Sequence, residues 1–387
     1  MSGSALQEFL DFAIASDSVV INGPRDILNE ADKNTYLLRR FLKGAAAAKS
    51  LQNGKRIRHH IMFDEQSTAV DYLPGQTFTW ENPQVLTEHE IDWRFTIDHM
   101  AWIRQEIKLN VGGMTKEARY NYYVDLLYSK EQRLWTSLCK KMDSDLFAVP
   151  SNAQMEDQGG KQTLSLAAII NEETNTVPSS LGGGGTWTTV AGINPATETG
   201  WQNQQQGYDE TPAAGGADWD LFTAFDNMEM DVHFDKLPGK EEFSSKSSEQ
   251  YFIACSQTGI SNYKTGLRLS NDQLVTVSRQ DPAYSNPKFS GIDLVYVSDL
   301  NTATLYSNAG GTALVSESTA NLTGPRYYWI NADWVAPVWH SECYFEKDEV
   351  MRHPNQPGAY VMPVECWRNM MPLSRKRLGI VHPTTDV

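Results

Sequence analysis

The sequence has few cysteines, and they are widely separated. Its 387 residues include four of them, at Cys139, Cys255, Cys343 and Cys366. No two lie within four residues of each other, so the CxxC spacing of zinc and dithiol redox sites is missing. So few cysteines in so long a chain do not form a disulfide scaffold either, and reduced thiols in a protein made in a cytoplasm are the expectation.

Long apolar runs and an excess of basic residues are also missing. No apolar stretch approaches about 18 residues, and the N-terminus lacks a basic region followed by an apolar run, which argues against a membrane span and a secretory signal. Lys and Arg number 33 against 48 Asp and Glu, which gives a net charge of −15. Because phosphate backbones are bound through clustered Lys and Arg, this charge argues against a protein that grips nucleic acid through its overall charge. An acidic soluble enzyme fits it as well as a protein that must not adhere to DNA.

The motifs of several enzyme classes are missing as well. There is no Gly-x-Ser-x-Gly elbow and no HExxH. Gly159-Gly-Lys161-Gln-Thr163 has the wrong spacing for a phosphate-binding loop. Potential metal ligands at Asp231-Val-His233-Phe-Asp235, Glu88-His89-Glu90 and His59-His60 are interpreted as solvated strand or loop faces, and neither a metal nor a cofactor is expected. Acidic residues near tryptophans leave a cytoplasmic carbohydrate-active enzyme as an alternative.

Residues 55–108 predict a long hairpin. A strand is expected at 56–63 and a turn at Pro74-Gly75. In the second half, Ile91, Trp93, Phe95 and Ile97 alternate with polar residues, which is the period of a half-buried strand.

Residues 115–147 predict one uninterrupted helix, the longest in the protein. Its apolar residues recur at spacings close to 3.6, and no Gly or Pro occurs from Met114 to Val149. Thr115 is a plausible N-cap. At 1.5 Å per residue, about 30 residues make a rod of roughly 45 Å.

The rest of the chain changes character along its length. Residues 1–50 are expected to be an arm with two helical stretches, and 150–217 are dominated by Gly and Gln. A mixed α/β region covers 165–320, and a run of strands follows Pro325. Within these regions the patterns predict helices near 164–171, 218–228 and 259–269, and strands at 187–191, 251–256, 327–330, 334–340 and 361–371.

Three features, in this order, resemble the tailed-bacteriophage major capsid proteins of the Hong Kong ninety-seven fold. The hairpin followed by the long helix is similar to that fold's extended loop and spine helix. Phe289-Ser-Gly-Ile-Asp-Leu-Val-Tyr-Val297 resembles a Phe-x-Gly-x-x-(Val/Ile) strand found late in the family's axial domain. Trp367-Arg-Asn-Met-Met-Pro-Leu-Ser-Arg375-Lys376-Arg377-Leu-Gly379 resembles the Trp-x-Asn…Arg-Arg-x-x-Gly ending of many such proteins. The likeness spans most of residues 50–380.

The resemblance implies an α+β phage capsid fold. Its parts would be an N-terminal arm at 1–54, an extended β-hairpin loop at 55–110, a peripheral domain with the spine helix at 111–164, an α/β axial domain at 165–324, and a return to the peripheral domain at 325–387. It implies a structural protein, not an enzyme, without a cofactor. Such a protein self-assembles into hexamers and pentamers of an icosahedral shell that encloses double-stranded DNA. An encapsulin-like compartment shell is the alternative within this fold.

The resemblance also implies partners and a location. The chain would be made in a host bacterial cytoplasm, reside in the virion, touch packaged DNA non-specifically on the inner face and contact no membrane. Only about 50 residues precede the hairpin, so scaffolding is expected from a separate protein; a portal and decoration proteins are further candidate partners. One founding member forms an isopeptide bond from a Lys of its extended loop. No Lys occurs between Lys55 and Lys108 here, so that cross-link is not supported.

Charge is unevenly distributed near the hairpin. Seven basic residues and no acid lie between Arg39 and His60, whereas Ile61–Ile103 contains eight acids and one basic residue, Arg94. Three interpretations are open. The two segments could be solvated faces, the basic arm could face the genome, or the basic arm of one subunit could contact the acidic hairpin of another. We expect the last, with apolar burial of the hairpin tryptophans and Phe95 against a neighbour. The candidate subunit-contact residues are Arg39, Arg40, Arg56, Arg58, Glu81, Glu88, Glu90, Asp92, Trp80 and Trp93.

Overall fold

The structure is a computed structural model. It describes residues 49–51, 54–62, 71, 73–74, 77, 86–103, 116–147, 161–170, 189–208, 220–232, 251–270, 287–298, 300, 306–307, 314–315, 325–353, 355–356 and 358–383. The predictions for the arm before residue 49, for Gly75 in the hairpin turn and for most of the Gly-rich stretches lie outside these residues.

The described elements alternate between strands and helices along the chain. In order they are β1 Lys49–Leu51, β2 Arg56–Met62, β3 Leu86–Asp92, β4 Arg94–Ile103, α1 Lys116–Leu146, α2 Leu166–Ile169, a 3₁₀ turn Thr199–Trp201, β5 Gln204–Tyr208, α3 Asp220–Val232, β6 Tyr251–Cys255, α4 Gln257–Ser270, β7 Lys288–Phe289, β8 Ile292–Tyr296, β9 Tyr306–Ser307, β10 Leu314–Val315, β11 Tyr327–Asn331, β12 Val335–Lys347, β13 Met351–Arg352, β14 Ala359–Pro372 and β15 Gly379–Pro383.

The chain forms two compact units. Of the described residues, 98–140 and 347–363 belong to one unit, and the remainder belong to the other. In the described part of the chain, no helix is long and apolar enough to cross a membrane.

A six-stranded sheet organises the larger unit. Its order is β5-β15-β11-β6-β8-β7, and β11 pairs antiparallel with both β6 and β15. Every residue of β6 and of β11 is buried. Phe252 and Tyr328 belong to one core cluster, together with α2 and the end of α1, whereas Tyr251 and Trp329 belong to another, together with α3. A strand that is covered on both faces needs apolar residues at consecutive positions, which explains the unbroken run from Tyr251 to Cys255.

A second sheet and a hairpin surround a third core. The sheet has the order β1-β12-β14-β13, with β4 also paired to β14, and β2 and β3 form an antiparallel hairpin whose register runs from Arg56↔Asp92 to Met62↔Leu86. Alternate hairpin residues supply this core, together with residues of β12 and of the segment at 189–203. Its buried members are Ile57, Ile91, Trp93, Ala191, Ile193, Trp201, Ala336, Val338, Met371 and Leu373.

The long helix predicted from the sequence is confirmed. α1 runs for 31 residues, about 46 Å at the usual rise, and it is the longest helix in the described part of the chain. Its fully buried residues Leu134, Leu138, Met142 and Leu146 recur every fourth position. Residues four apart lie on one side of a helix, so a single apolar stripe carries its packing.

The predicted alternation through Ile97 is wrong beyond Trp93. Arg94, Met100 and Trp102 are buried, whereas Phe95 and Ile97 are each 64% exposed. The strand is interrupted at Trp93, because β3 pairs with β2 whereas β4 pairs with β14. Because the chain passes from one sheet to another at this point, the opposite side of the strand faces the core. Side chains alternate with a period of two, so each residue after Trp93 lies on the face opposite to the one that the pattern predicted.

Two predicted strands are turns in part. In the segment at 187–191, Val190 only forms an isolated bridge to Ile193, around a turn with Ala191 at φ 54° and Gly192 at φ 82°. The segment at 289–297 is divided by Ser290 and Gly291, at φ 48° and 84°, into the antiparallel strands β7 and β8. Two successive positive φ values are those of a two-residue hairpin turn.

Most other predicted elements of the second half are present, with shifted bounds. The helix expected at 218–228 is α3, and the helix expected at 259–269 is α4. Asp231 belongs to α3, so the interpretation of 231–235 as a strand carrying three ligands is wrong at Asp231; His233 and Asp235 lie outside the described residues.

Candidate assembly interface

One face of the β2–β3 hairpin is a ladder of opposite charges. The Arg56 guanidinium pairs with the carboxylates of Glu90 and Asp92, the latter at 3.0 Å from Nε. Arg58 donates from Nη1 to Glu88 at 3.2 Å and from Nε to Glu90 at 3.1 Å. The antiparallel register places these residues opposite or diagonal to one another, within the reach of long side chains.

These pairs stabilise the hairpin only modestly. The side chains of Arg58 and Glu88 are 56% and 43% exposed, and ion pairs at such sites contribute about 0–1 kcal/mol each. Arg56, Glu90 and Asp92 are half-buried, and Glu90 bridges both arginines. Arg56 and Arg58, two of the four cations that the sequence assigned to a contact between subunits, therefore have carboxylate partners inside their own chain.

The opposite face of the hairpin is apolar and contains two histidines. Ile57 and Ile91 pack in the third core. His59 lies directly opposite His89 in the register, and His89 is fully buried. The interpretation of His89 as part of a solvated face is wrong, because it lies in phase with Ile91 and not with Glu88 and Glu90.

The far end of the hairpin exposes large apolar side chains. Met62 and Leu86 are the last pair of the register, and they are 55% and 66% exposed. Leu73, in the segment between the two strands, is 74% exposed. Exposed apolar side chains at the end of a narrow ribbon are a candidate interaction surface.

The tryptophans of this region do not all behave as expected. Trp93 is only 7% exposed, its Nε1 donates to the Gly54 carbonyl at 2.9 Å, and its ring meets that of His340 edge-on at 5.5 Å. Trp102 is buried too, stacked on Tyr360 at 6.0 Å. Neither ring needs a neighbouring subunit for burial, which corrects the expectation that they would be costly on a free ribbon.

The remaining candidate residues Arg39, Arg40, Trp80 and Glu81 lie outside the described residues. A contact between the basic arm and the acidic hairpin of two subunits stays a prediction. Changing Arg56 and Arg58 to Glu would break ion pairs within the hairpin. Rescue by Glu88→Lys and Glu90→Lys would therefore measure the stability of the hairpin itself, and not only the assembly of subunits.

Sequence reasoning missed the role of a buried cation at Arg375. Its guanidinium is fully buried and donates from Nε to the Ile169 carbonyl at 2.7 Å, from Nη1 to the Trp201 carbonyl at 3.1 Å and from Nη2 to the Asn203 side-chain oxygen at 2.9 Å. It thereby joins the end of α2 to the segment before β5. Arg375 appeared in the sequence only as part of a family-like ending, and nothing in its local pattern distinguishes it from Lys376 and Arg377.

A buried ion pair joins the end of α1 to β14. Arg368 Nη2 lies 2.6 Å from Asp145 Oδ2, and both residues are buried. Lys141, one turn earlier, approaches the other carboxylate oxygen at 2.5 Å. This pair could have been anticipated, because Asp145 lies three residues after Met142 and therefore on the buried stripe of the helix. Throughout the described ranges, no group of three His, Cys, Asp or Glu residues is arranged to hold a metal ion.

Comparison with known proteins gives no sequence match. No family model matches the chain, and no curated protein matches it. Solved structures do match: a chain of the cyanophage A-1(L) capsid asymmetric unit is 14% identical with a TM-score of 0.56, covering 96% of this chain and 97% of that one. A chain of the cyanophage P-SCSP1u capsid is 13% identical with a TM-score of 0.51, covering 96% of this chain and 94% of that one. A chain of the capsid of a native GTA particle is 8% identical with a TM-score of 0.50, covering 95% of each chain.

Similarity at such low identity establishes the fold. The chain is a mixed helix-and-sheet protein with the fold of bacteriophage capsid proteins. The resemblance to tailed-phage major capsid proteins that the sequence suggested is thus confirmed by the structure comparison.

Proposed function

We propose that this chain is the major capsid protein of a tailed bacteriophage, a structural and non-catalytic subunit that self-assembles into hexamers and pentamers of an icosahedral shell around double-stranded DNA. The observation that carries the proposal is the match to a capsid subunit over 96% of the chain. Because the match covers almost all of both chains, it favours a complete shell subunit over a protein that shares only one domain with such a subunit.

The proposal also assigns each stretch of the chain to one part of the capsid fold. Residues 1–54 act as an arm, 55–110 as an extended hairpin loop, 111–164 as the start of the peripheral domain, 165–324 as the axial domain and 325–387 as the return to the peripheral domain. The 31-residue helix α1 directly after the hairpin supports this order, because that succession is the one on which the family resemblance rests.

The exposed end of the hairpin is the contact that we expect to drive assembly. Its charged face is neutralised within the chain and its apolar face packs on the third core, so Met62 and Leu86, the exposed last pair of the register, are the apolar side chains that we expect to meet a partner. Each is only a little over half exposed, so burying it against a second copy would contribute about 1–2 kcal/mol. Repeated at every subunit of a closed shell, this apolar contact outweighs the 0–1 kcal/mol of an exposed ion pair.

The acidic composition supports a shell that holds DNA without binding it tightly. At a net charge of −15, the subunit as a whole repels phosphate, and any contact with DNA would be local and non-specific. We propose synthesis in a bacterial cytoplasm, location in the virion, and separate scaffolding, portal and decoration proteins as partners.

Electron microscopy of the expressed full-length chain tests the proposal. We expect shells, capsomers or tubes from the wild type. The double variant Met62→Glu/Leu86→Glu should remain a folded subunit but lose these particles, whereas Met62→Leu/Leu86→Met, which keeps both positions apolar, should retain them. A monodisperse monomer with glycoside hydrolase activity would overturn the proposal. Shells isolated from the natural host should contain double-stranded DNA, whereas protein cargo inside them would favour the encapsulin-like alternative.

A further inference from the structure

A pair of histidines lies where the hairpin meets the body of its unit. His59 on β2 and His89 on β3 are directly opposed, with their ring centroids 5.2 Å apart. On its other side, the His89 ring approaches that of Trp201 at 5.3 Å. His89 is fully buried, as is Trp201. The imidazole is therefore enclosed between the opposite strand and the segment at 189–203.

The surroundings of His89 suit only a neutral ring. Neither ring nitrogen has a hydrogen-bond partner in the part of the chain that the structure describes. Burial, with smaller contributions from His59 and His60 as like charges, lowers the pKa of His89 to about 3, although an interaction with the Pro372 backbone opposes the shift. At neutral pH the ring is therefore uncharged.

The charged groups around His89 offer no compensation for a proton. On its own strand, Glu88 and Glu90 project to the opposite face, where Arg58 and Arg56 hold them. From β2, His59 faces His89, and His60, which lies opposite Glu88 on the other face, is near enough to act as a like charge. The segment at 189–203 presents the uncharged Trp201, whose carbonyl binds the cation of Arg375. A protonated His89 would therefore meet other cations and no carboxylate among the described neighbours.

The turn at Ala191 and Gly192 packs closely on β3 next to His89. The Glu90 amide donates to the Ala191 carbonyl at 3.1 Å, which joins β3 to the turn at Ala191 and Gly192. A Cβ on Gly192 would lie 3.5 Å from the Glu90 nitrogen, so the turn packs directly on β3. Separating the hairpin from this turn would admit water to both imidazoles, and the open form could then take up protons at little cost.

We propose that the His59–His89 pair makes the attachment of the β2–β3 hairpin to the 189–203 segment sensitive to protonation, so that acid releases the hairpin. The direction follows from linkage. The closed form binds the His89 proton more weakly than the open form, so the open form holds more protons below about pH 6.5. The attachment is at full strength above that pH and weakens as the pH falls toward about 3.

The expected size of the effect is set by the number of protons taken up. One proton bound only in the open form raises the opening constant about tenfold for each unit of pH between roughly 6.5 and 3. This inference concerns the single subunit, so it does not depend on the proposed role in a shell.

Hydrogen exchange of the unassembled full-length chain tests it. Peptides that cover 56–62 and 86–92 are followed from pH 7.5 to 4.5, and each rate is corrected for the intrinsic pH dependence of exchange. The corrected opening constant should rise about tenfold per unit in the wild type. His89→Phe should flatten that slope, and His89→Leu serves the same purpose with a smaller side chain. His60→Gln, which changes the exposed histidine next to His59 on β2, is the matched control and should keep the slope.

Two outcomes would overturn the inference. One is a wild-type opening constant that does not change with pH. The other is a slope that persists in a folded His89 variant, which would assign the pH dependence to other groups. Loss of particles in the Met62→Glu/Leu86→Glu variant bears only on assembly and leaves this result unaffected.

Discussion

Among substitutions of buried residues, Arg375→Met should be one of the most destabilising. It would remove the donors that position 375 provides to the Ile169 and Trp201 carbonyls and to the Asn203 side-chain oxygen. Each buried oxygen left unsatisfied costs about 1–3 kcal/mol, or about 3–9 kcal/mol for three. Removing the buried charge itself returns several kcal/mol of desolvation. We therefore expect a net loss of about 2–5 kcal/mol in the free energy of unfolding.

Urea-induced unfolding followed by tryptophan fluorescence measures this loss. Lys376→Met is the matched control, because Lys376 is the exposed neighbour and a surface change of this kind stays within about 0.5 kcal/mol. Arg375→Lys should also destabilise the chain, since an ammonium group cannot reproduce three donors of a planar fork. If Arg375→Met and Lys376→Met unfolded at the same urea concentration, the reasoning about the buried guanidinium would be refuted.

Three further substitutions follow from buried contacts. Asp145→Asn leaves the Arg368 charge without its buried partner and should cost about 3–5 kcal/mol in urea unfolding. Leu138→Ala, at a residue 2% exposed, should cost about 2–5 kcal/mol in the same assay. Gly379→Ala places a Cβ 2.3 Å from Met228 Sδ and should lower the thermal midpoint through about 1–3 kcal/mol of overpacking.

Each of these has its own control. Lys141→Met removes only the exposed partner of the same carboxylate and should change stability by less than about 1 kcal/mol. Leu127→Ala, at a half-buried position of the same helix, should cost less than Leu138→Ala. Combining Gly379→Ala with Met228→Ala should give less than the sum of the two single losses, because the second change makes room for the methyl group. Equal losses at Leu127 and Leu138, or strict additivity at Gly379, would contradict the packing described.

The helix α1 and the central strands were predictable because their signals are local. In α1, Leu134 to Leu146 repeat at helical spacing without Gly or Pro, so backbone preference and burial favour the same conformation. The run from Tyr251 to Cys255 is apolar at every position, which suits a strand covered on both faces. The order of hairpin, long helix and mixed region likewise indicated the capsid fold.

The candidate interface was predicted only in part. Alternation correctly placed Ile91 and Trp93 on a buried face, and it could also have placed His89 in the core. It failed at Arg94, because the local pattern does not tell that β3 and β4 belong to different sheets. The charge blocks suggested a partner for Arg56 and Arg58, but composition alone cannot distinguish a partner in the same chain from one in another.

By itself, the sequence determined the long helix, the two-sided burial of the central strands, the charge imbalance around the hairpin and the resemblance to a capsid subunit. These properties depend on neighbours within a few residues or on order along the chain. Only the tertiary structure decided that Arg375 binds oxygens 172–206 positions away, that Asp145 meets Arg368, and that His89 is enclosed by Trp201. Contacts between distant segments depend on how sheets and helices pack, and that packing minimises exposed apolar surface and unsatisfied polar groups over the whole unit rather than within any local window.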